Sequence, residues 1–317
     1  MITRILRINP QRPEINKINQ AANIIKIGGL VAFPTETVYG LGGNIFDERA
    51  LKNIYKTKGR PYDNPLIVHI AKLKDLNILA KQVPKSALKL AERFWPGPLT
   101  IILKKQNEIS KIATAGLNTI AIRMPDNKIA LELIKKSGVP IAAPSANAFT
   151  RPSPTLAKHV LEDFKNKIRL IIDGGQTQIG LESTVLDLTS KIPTILRPGK
   201  ITVEDLKKIL GRVEIYSHKI KKIKSPGTKY KHYSPKAKVV LVYGKVTQET
   251  IKKYKGKIAI IKSNRNIKFL AKNLFKKFRE FDNKKIDIIL VEGVEEKGLG
   301  VALMNRLKKS ASEIIKN

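Results

Sequence analysis

The sequence predicts an α/β protein in two units, a mixed twisted sheet with helices around it and then a small parallel sheet. Three observations lead to this fold class. Short apolar runs and helical patterns alternate over residues 1–212. A basic stretch over residues 213–237, interrupted by Pro226, Gly227 and Pro235, has no clear period and indicates a linker. A regular β-α-β-α-β-α pattern then fills residues 238–317.

The first unit opens with a helix whose apolar residues repeat at helical spacing. Ile15, Ile18, Ala22 and Ile25 share one face, and Gly28 is the expected stop. Further helices are predicted in DERALKNIYKTKG, KSALKLAERF, NKIALELIKKSG, SPTLAKHVLEDF and TVEDLKKILG. Short apolar runs predict strands in LVAFP, NPLIVHIA, LTIILKK, TIAIRMP, VPIAAP, IRLIIDGG, STVLDLT and TILRPG.

Start and stop signals support several of these helices. Asp47 is placed to cap the helix in DERALKNIYKTKG, and Ser153 the helix in SPTLAKHVLEDF. Pro96 and Gly97 end the helix before them, because proline cannot continue a helix. The mixture of adjacent strands and strands joined through helices predicts a mixed sheet.

The second unit has a simpler pattern. The apolar runs KVVLVYG, KIAIIKS and IDIILVEG predict strands, separated by helices in TQETIKKY and IKFLAKNLFKKFREF. A last helix is predicted in GVALMNRLKKSASEIIK. Strands that alternate with helices predict a parallel sheet.

Composition limits the kinds of protein that this sequence can encode. The 317 residues include no cysteine, which excludes disulfides, thiolate nucleophiles and cysteine-based zinc sites. There is no run of 18 apolar residues to span a membrane, and the first residues lack the apolar core of a secretion signal. We therefore expect a cytoplasmic protein.

The chain is strongly basic. Its net charge of +35 would attract polyanions such as nucleotides or RNA. The charge is spread along the chain, however, and a lysine-rich proteome or solubility at high temperature explains an even spread equally well. Charge alone therefore does not argue for RNA binding.

Small hydroxyl residues and prolines follow several predicted strands. FPTETVYGLGG contains Thr35, APSANAFTRPSPT contains Ser145 and Asn147, and GLESTVLD contains Ser183. Hydroxyls and backbone N–H groups bind phosphate or carboxylate oxygens, and prolines keep such a frame rigid. In open α/β sheets ligands bind at strand ends, so these loops predict a rim that binds anions.

Two cations stand between a predicted helix and a predicted strand in KTKGRPYDNPLIVHI. Lys58 ends the helical pattern, and Arg60 precedes Pro61, which stiffens the backbone before it. A solvated loop could carry any polar residues here. The pair is therefore a candidate wall of an anion site.

Each motif taken alone has an ordinary structural explanation. A simple turn would explain the glycines of YGLGG, and the string is not a dinucleotide fingerprint. GQTQIGLES has Leu181 where a P-loop needs lysine. His69 alternates with apolar neighbours, as a half-buried histidine does. We find no His–Glu zinc cluster and no Ser-His-Asp order.

Taken together, the motifs resemble one family. PTETVYGLG, KGRP, NPLIVH, WPGPLT, AIRMPD, APSAN, ESTV, LRPG and SPGTKYKHYSP occur in an order that resembles the threonylcarbamoyl-AMP synthase family in its two-domain form. GLGVALMNRLKKSA is similar to the signature of that family's second domain. The resemblance implies a YrdC-like catalytic domain around a basic cavity over 1–212, a linker over 213–237 that closes over the active site, and a small Rossmann-like domain over 238–317.

The resemblance also implies an activity. Enzymes of this family are nucleotidyltransferases that condense L-threonine, bicarbonate and ATP to threonylcarbamoyl-AMP and pyrophosphate. The product supplies partner enzymes that modify adenosine 37 of tRNAs reading ANN codons. Mg²⁺ is expected with the ATP. The triphosphate and water would supply its ligands, because the sequence has no Asp/Glu cluster for a metal.

The resemblance assigns residues to each substrate. Those implied for the nucleotide are Lys58, Arg60, Tyr62, Thr119, Ser145, Asn147, Ser153, Arg197 and Tyr230. Those implied for threonine are Thr35, His69, Arg123 and Ser183. Lys58, Arg60, Ser145 and Asn147 would form the catalytic centre, and Tyr230 and His232 the lid. With no strong base among them, we expect catalysis by positioning and charge neutralisation.

Two other functions stay open at this level. An RNA-binding module would explain the positive charge, and weak tRNA binding is compatible with the enzyme as well, but the aromatic content is only 6% and gives no stacking platform. A carbamoyl transferase acting on another acceptor is the second alternative, because YrdC-like domains also occur there. Those enzymes usually carry additional zinc-finger domains, and this chain has no cysteine.

Overall fold

The computed structural model describes residues 1–216, 232–263 and 266–316. Within these ranges the chain forms a large mixed sheet and a small parallel sheet. The predicted fold class is therefore confirmed. Among the same residues, no helix combines the length and hydropathy that crossing a membrane requires.

The large sheet belongs to the first unit. Its strands are β1 (Arg4–Arg7), β2 (Val31–Phe33), β3 (Gly40–Asn44), β4 (Ile67–His69), β5 (Leu99–Lys104), β6 (Thr119–Arg123), β7 (Ile141–Ala142), β8 (Leu170–Asp173), β9 (Thr184–Asp187), β10 (Thr194–Arg197) and β11 (Glu214–Ile215). Their spatial order is β1-β8-β2-β3-β7-β4-β6-β5-β9-β10-β11. Parallel pairs such as β4–β6 and antiparallel pairs such as β5–β6 lie side by side.

Helices cover this sheet. They are α1 (Ile15–Lys26), α2 (Glu48–Lys58), α3 (Leu76–Leu79), α4 (Lys85–Phe94), α5 (Lys111–Thr114), α6 (Lys128–Ser137), α7 (Ala157–Phe164) and α8 (Val203–Leu210). Alternate residues of a strand point to opposite faces, and Val68 of β4 enters the main core beneath α2 and α4. Ile67 and His69 therefore point to the other face.

The second unit is a small parallel sheet with three helices among its described residues. Its strands are β12 (Lys238–Tyr243), β13 (Ile258–Ile261), β14 (Ile288–Glu292) and β15 (Glu313–Lys316), in the order β13-β14-β12-β15. Its helices are α9 (Gln248–Lys252), α10 (Ile267–Asn283) and α11 (Leu299–Ser310).

The two units share a hydrophobic core. Ile179 and Leu181 of the first unit pack into the core of the second. Gly180 between them has φ +80, and a Cβ at this position would lie 2.5 Å from the backbone of Lys272 on α10. Glycine is therefore needed here for both its left-handed backbone and its missing side chain.

Some local predictions are wrong. A turn is the ordinary explanation for the glycines of YGLGG, but they form strand β3, where a Cβ at Gly42 would lie 2.7 Å from the side chains of Phe33 and Ile141. Ser153 does not cap α7, which begins at Ala157 after Leu156. The last predicted helix ends at Ser310. The residues after it form β15, which is hydrogen-bonded to β12 in the parallel sheet.

The boundaries of the linker also differ from the predicted 213–237. Strand β11 pairs with β10, so the first sheet continues to Ile215. On the other side, Tyr233 and Ala237 are buried in the core of the second unit. Both ends of the predicted linker therefore belong to folded units.

Candidate active site

A cavity of about 730 Å³, including its open mouth, lies against the Ile67 and His69 face of the large sheet. Loops that follow the strands surround it, and residues just before β12 complete its wall. The cavity brings together most of the residues singled out in the sequence: Thr35, Lys58, Arg60, His69, Arg123, Ser145, Asn147, Ser153, Ser183, Arg197 and His232. Their individual roles stay predictions.

The structure of α2 determines where Lys58 lies. The Asp47 carboxylate accepts hydrogen bonds from the N–H groups of Arg49 and Ala50, which confirms the predicted cap. Gly59 ends the helix in the left-handed conformation, at φ 62. Lys58 is thus the last helical residue, and its side chain is buried in the cavity wall.

The ammonium of Lys58 is held by main-chain oxygens. Nζ donates to the carbonyl oxygens of Ser145 and Asn147, at 2.5 Å each. Burial, and then the neighbouring charge of Arg60, lowers the pKa of Lys58 well below its usual value. An ammonium has three protons, so one remains to donate to a bound anion.

Arg60 and Arg197 are anchored in a similar way. Arg60 donates to the carbonyl oxygens of Asn64 at 3.0 Å and Pro65 at 2.9 Å. Arg197 donates to the carbonyl oxygen and the hydroxyl of Ser183, at 3.1 Å each. Burial lowers the pKa of Arg60 to about 10, so the guanidinium still carries its charge at neutral pH.

These three cations have no carboxylate partner within ion-pair distance among the described residues, whereas the other arginines of the cavity do. We call Lys58, Arg60 and Arg197 the cation wall. Buried charges of one sign are stable only with a counter-charge or a bound ion of the opposite sign. The cation wall therefore predicts that the cavity binds anions.

A second group, the Arg123 cluster, consists of Glu36, Thr37, His69 and Arg123. Nη2 of Arg123 lies 2.5 Å from the Glu36 carboxylate. Nη1 donates to the Thr37 hydroxyl at 2.9 Å, and Nε to the carbonyl oxygen of Gly97 at 3.2 Å. A guanidinium has five N–H groups, so two stay available for a ligand.

His69 of this cluster is neutral. Burial, and then the charge of Arg123, lowers its pKa to about 3. Its Nδ1 is buried and has no hydrogen-bond partner among the described residues. A neutral imidazole can accept a hydrogen bond from a ligand, but a pKa this low makes it a poor store for a proton at neutral pH.

A third group, the Glu182 cluster, consists of Ser153, Glu182, Tyr233 and Arg306. Oε1 of Glu182 accepts a hydrogen bond from Ser153 Oγ at 2.5 Å, and Oε2 accepts one from Arg306 Nε at 2.8 Å. The Arg306 guanidinium also lies 5.5 Å from the centre of the Tyr233 ring, over its face. Arg306 belongs to α11, so this cluster joins the two units.

Aromatic rings line the side of the cavity next to the second unit. His232 meets the edge of Phe149 at 5.5 Å and lies 5.6 Å from Tyr233, which stacks on Phe275 of α10. Burial, and then Arg60, lowers the pKa of His232 to about 3. The predicted lid residue His232 is therefore a neutral, packed part of the wall.

The loop after β7 is fixed by its own hydrogen bonds. Ser145 forms a bridge with Gly40, and Asn147 Nδ2 donates to the carbonyl oxygens of Ala148 and Arg151. Its Oδ1 is buried and has no hydrogen-bond partner among the described residues. Asn147 therefore keeps an acceptor for a ligand's hydroxyl or amine.

Two predicted residues do not line the cavity in the structure. Thr119 begins β6, whose other end carries Arg123, so about 13 Å of strand separate the two. Tyr62 is 55% exposed, and its ring stacks on Tyr55 at 4.6 Å. Tyr230 lies outside the residues that the structure describes.

Sequence reasoning missed the acidic members of the site. Glu36 and Glu182 stand directly beside hydroxyl residues that were singled out in PTET and ESTV. Arg306 was part of a quoted motif but had no assigned role. Nothing in the local pattern indicated that the two carboxylates would pair with arginines far along the chain.

The cavity is poorly suited to hold a metal ion through protein ligands. No group of three or more His, Asp or Glu side chains among the described residues could coordinate one. Glu182, which lines the cavity, is held by Arg306, and Glu36, which is buried beside the lining, is held by Arg123. The cavity can therefore bind several anions, and the neutral imidazole of His69 lies beside them.

Comparison with known families covers both units. Residues 23–199 match a family described as telomere recombination, which groups Sua5, YciO and YrdC proteins. Residues 201–312 match a family described as the C-terminal domain of threonylcarbamoyl-AMP synthase. The first match lies within the unit of the large sheet, and the second begins before α8 of that unit and ends before β15 of the small sheet.

Individual relatives extend over nearly the whole chain. A threonylcarbamoyl-AMP synthase of Pyrococcus abyssi is 49% identical, with 95% of this chain and 96% of that protein covered. A protein of the same name from Bacillus subtilis is 43% identical, with 93% of each covered. The crystal structure of Pyrococcus abyssi Sua5 with L-threonine superposes with a TM-score of 0.94 at 47% identity, covering 99% of this chain and 100% of that one.

Proposed function

This chain belongs to the threonylcarbamoyl-AMP synthase family, and we propose that it condenses L-threonine, bicarbonate and ATP to threonylcarbamoyl-AMP and pyrophosphate. The observation that carries the proposal is the cation wall. Lys58, Arg60 and Arg197 are buried around one cavity, and they come from two of the motifs on which the family resemblance rests, KGRP and LRPG. All three substrates bear anionic groups that such a wall can bind.

The reaction needs two bond-forming steps. The threonine amine attacks the carbon of bicarbonate, and loss of water leaves a carbamate. A carbamate oxygen then attacks the α-phosphorus of ATP, the bond to the bridging oxygen breaks, and pyrophosphate leaves. Charge develops on phosphate oxygens throughout the second step, so fixed cations lower its barrier.

The cation wall would hold the triphosphate. Lys58 has one free proton, and Arg60 has three N–H groups that are not used by the main chain. An arriving phosphate would also favour the charged form of Lys58, whose pKa burial has lowered. Both residues would therefore bind the nucleotide and stabilise the transition state.

Ser153 would contact the nucleotide in a different way. Its single hydroxyl proton is donated to Glu182, so toward a ligand Ser153 can only accept a hydrogen bond. A ribose hydroxyl or an amino group is a suitable partner, whereas a phosphate oxygen is not. Asn147 Oδ1 offers a second acceptor of the same kind.

The Arg123 cluster would bind threonine. The two remaining N–H groups of Arg123 can pair with the substrate carboxylate, and Thr35 and Ser183 also line the cavity. His69 would accept a hydrogen bond from the amine and orient it, without storing its proton. The Pyrococcus abyssi structure with L-threonine supports an amino-acid site in this fold.

Mg²⁺ is proposed to arrive with ATP. The described residues offer no carboxylate pair for the ion, because Glu36 and Glu182 are bound to arginines. Phosphate oxygens and water would supply its ligands, and the ion would neutralise part of the triphosphate charge. The chain's own contribution to charge balance remains the cation wall.

The product would be passed to the machinery that modifies adenosine 37 of tRNAs reading ANN codons. Threonylcarbamoyl-AMP is a mixed anhydride, so a tRNA amine can displace AMP from it. We place this activity in the cytoplasm, where ATP, bicarbonate and tRNA are available together.

Pyrophosphate release tests the proposal. Purified protein is incubated with ATP, MgCl₂, L-threonine and sodium bicarbonate, and parallel reactions each omit one substrate. We expect release only when all three substrates are present. A Lys58→Met protein, purified in the same way, controls for contaminating ATPases. Release that does not depend on threonine, or no release, would overturn the proposed function.

A further inference from the structure

Two buried arginines of the second unit reach into the first. Arg279 on α10 donates to the Asp163 carboxylate and to the carbonyl oxygen of Pro152, at 2.7 Å each. Arg306 on α11 donates to Glu182 at 2.8 Å and to the carbonyl oxygen of Pro198 at 2.9 Å. Their exposed fractions are 1% and 0%, so both charges depend on these partners.

The two arginines differ in what their carboxylates face. Glu182 lines the cavity, whereas Asp163 is not among the cavity-lining residues. A carboxylate on the wall of a cavity that receives phosphates repels them, because charges in a poorly solvated site are weakly screened. Arg306 is not itself part of the lining, so it compensates Glu182 from behind.

Glu182 keeps its negative charge in this setting. Burial acts to raise its pKa, but Arg306, followed by Arg197 and Ser153, outweighs burial, and the pKa is lowered. Other titratable or charged groups near it are Tyr233, His232 and Lys309. A permanent charge on the wall needs a permanent counter-charge, and Arg306 provides one.

We propose that Arg306 is a positioning residue for the nucleotide: it neutralises and orients Glu182, which in turn holds the Ser153 hydroxyl on the cavity wall. The second unit thereby contributes indirectly to ATP binding, through Glu182 and Ser153. This inference rests on the proposed function, since ATP is the ligand concerned.

Arg279 provides a matched control. Like Arg306 it is fully buried, comes from the second unit and pairs with a carboxylate of the first. Replacing either arginine by glutamine weakens the contact between the units. Only the Arg306 change removes the ion pair of a carboxylate that lines the cavity, whereas Asp163 keeps its ion pair with Arg151 when Arg279 is replaced. A second control is Lys308→Gln, on the same helix as Arg306. It removes an exposed ion pair between Lys308 and Glu296.

The experiment measures KM for ATP and for L-threonine, together with the thermal midpoint, for the full chain. The variants are Arg306→Gln, Arg306→Lys, Glu182→Gln, the double variant E182Q/R306Q, Arg279→Gln and Lys308→Gln. We expect Arg306→Gln to raise KM for ATP by about 10- to 100-fold, while KM for threonine changes by less than about threefold. Arg306→Lys keeps the positive charge and should therefore raise KM for ATP less than Arg306→Gln does.

The double variant and the control decide the interpretation. E182Q/R306Q should return KM for ATP to within about threefold of the parent, because the repelling charge is gone. Arg279→Gln should lower the thermal midpoint without the ATP-specific rise, and Lys308→Gln should change neither. Any one of three results would overturn the inference. They are an unchanged KM for ATP in Arg306→Gln, a KM for ATP that stays high in the double variant, and a rise in KM for ATP but not for threonine in Arg279→Gln.

These outcomes are separate from the test of the proposed function. If the parent protein releases no pyrophosphate, the proposed function fails before any variant is measured. If the parent is active and Arg306→Gln behaves like it, the function stands and the inference fails.

Discussion

The Arg123 and Glu182 clusters use the same chemistry in different structural settings. Each contains a buried carboxylate held by an arginine, Glu36–Arg123 at 2.5 Å and Glu182–Arg306 at 2.8 Å. Arg123 stands on β6, and Glu36 lies in the loop between β2 and β3 of the same unit, whereas Arg306 comes from α11 of the second unit. One cluster is complete within a single unit, and the other forms only when two units dock.

The difference divides the cavity into two halves. The proposed threonine half depends on residues of the large sheet alone. The proposed nucleotide half depends on the small sheet as well, through Arg306 and through Tyr233, which is buried in the second core. Changes to the Arg123 cluster and changes to the Glu182 cluster should therefore separate by substrate.

The largest effect is expected for Arg123→Gln. It leaves the Glu36 carboxylate buried without its partner, which should lower the free energy of unfolding by about 3–5 kcal/mol. Urea unfolding measures this loss. The double variant E36Q/R123Q should recover most of it, since no unpaired charge remains.

Kinetics of the same variant test the division itself. In the fraction that stays folded, Arg123→Gln should raise KM for threonine more than KM for ATP. If KM for ATP rises more than KM for threonine, the Arg123 cluster does not bind threonine specifically, and the division of the cavity into two halves is wrong.

A smaller effect, on catalysis, is expected for Lys58→Met. Lys58 belongs to neither cluster, and its free proton faces the cavity, so its loss should reduce kcat/KM by about 10²- to 10³-fold, or ~2.7–4 kcal/mol. Stopped assays with saturating threonine and varied ATP measure it. Lys56→Met, two residues earlier on α2 and outside this cavity, is the control. An equal loss in that variant would contradict a specific role of Lys58.

The smallest effect concerns pH and stability. His69 has a pKa of about 3 in the folded protein, below the ordinary value near 6.5 in an unfolded chain. Between these values the unfolded chain binds more protons, so stability is constant above about pH 6.5 and falls below it, by at most ~1.4 kcal/mol per pH unit for this group.

Urea unfolding between pH 7 and pH 5 measures that slope. His69→Gln should make the slope shallower by the contribution of the one proton that His69 binds on unfolding. His232, whose pKa is also about 3, stands beside the second unit, and His232→Gln should flatten a separate share. If His69→Gln leaves the slope unchanged, His69 is not the buried neutral group described above.

Local sequence signals predicted much of the first unit. The Asp47 cap and the stop at Gly59 fix α2, and they place Lys58 where a cavity can form. Strands that end in hydroxyl residues identified the loops around that cavity. These signals work because caps, glycine stops and apolar periodicity act within a few residues.

Contacts between distant residues could not be predicted in this way. Glu182 and Arg306 meet through the docking of two units, and no periodicity in either segment encodes that contact. Ser153 has the residue type of a helix cap, but its hydroxyl is used by Glu182 instead. Thr119 matched a motif position, yet its place at the start of β6 puts it away from the cavity.

The position of Arg306 in the chain also sets an order of events during synthesis. Glu182 is translated with the first unit, but its partner follows about 90 residues after the last strand of the large sheet, a delay of several seconds at roughly 5–20 residues per second. A nascent first unit would meet the cell with an unpaired carboxylate at its cavity. The nucleotide half would become competent only after the second unit has been made and has docked.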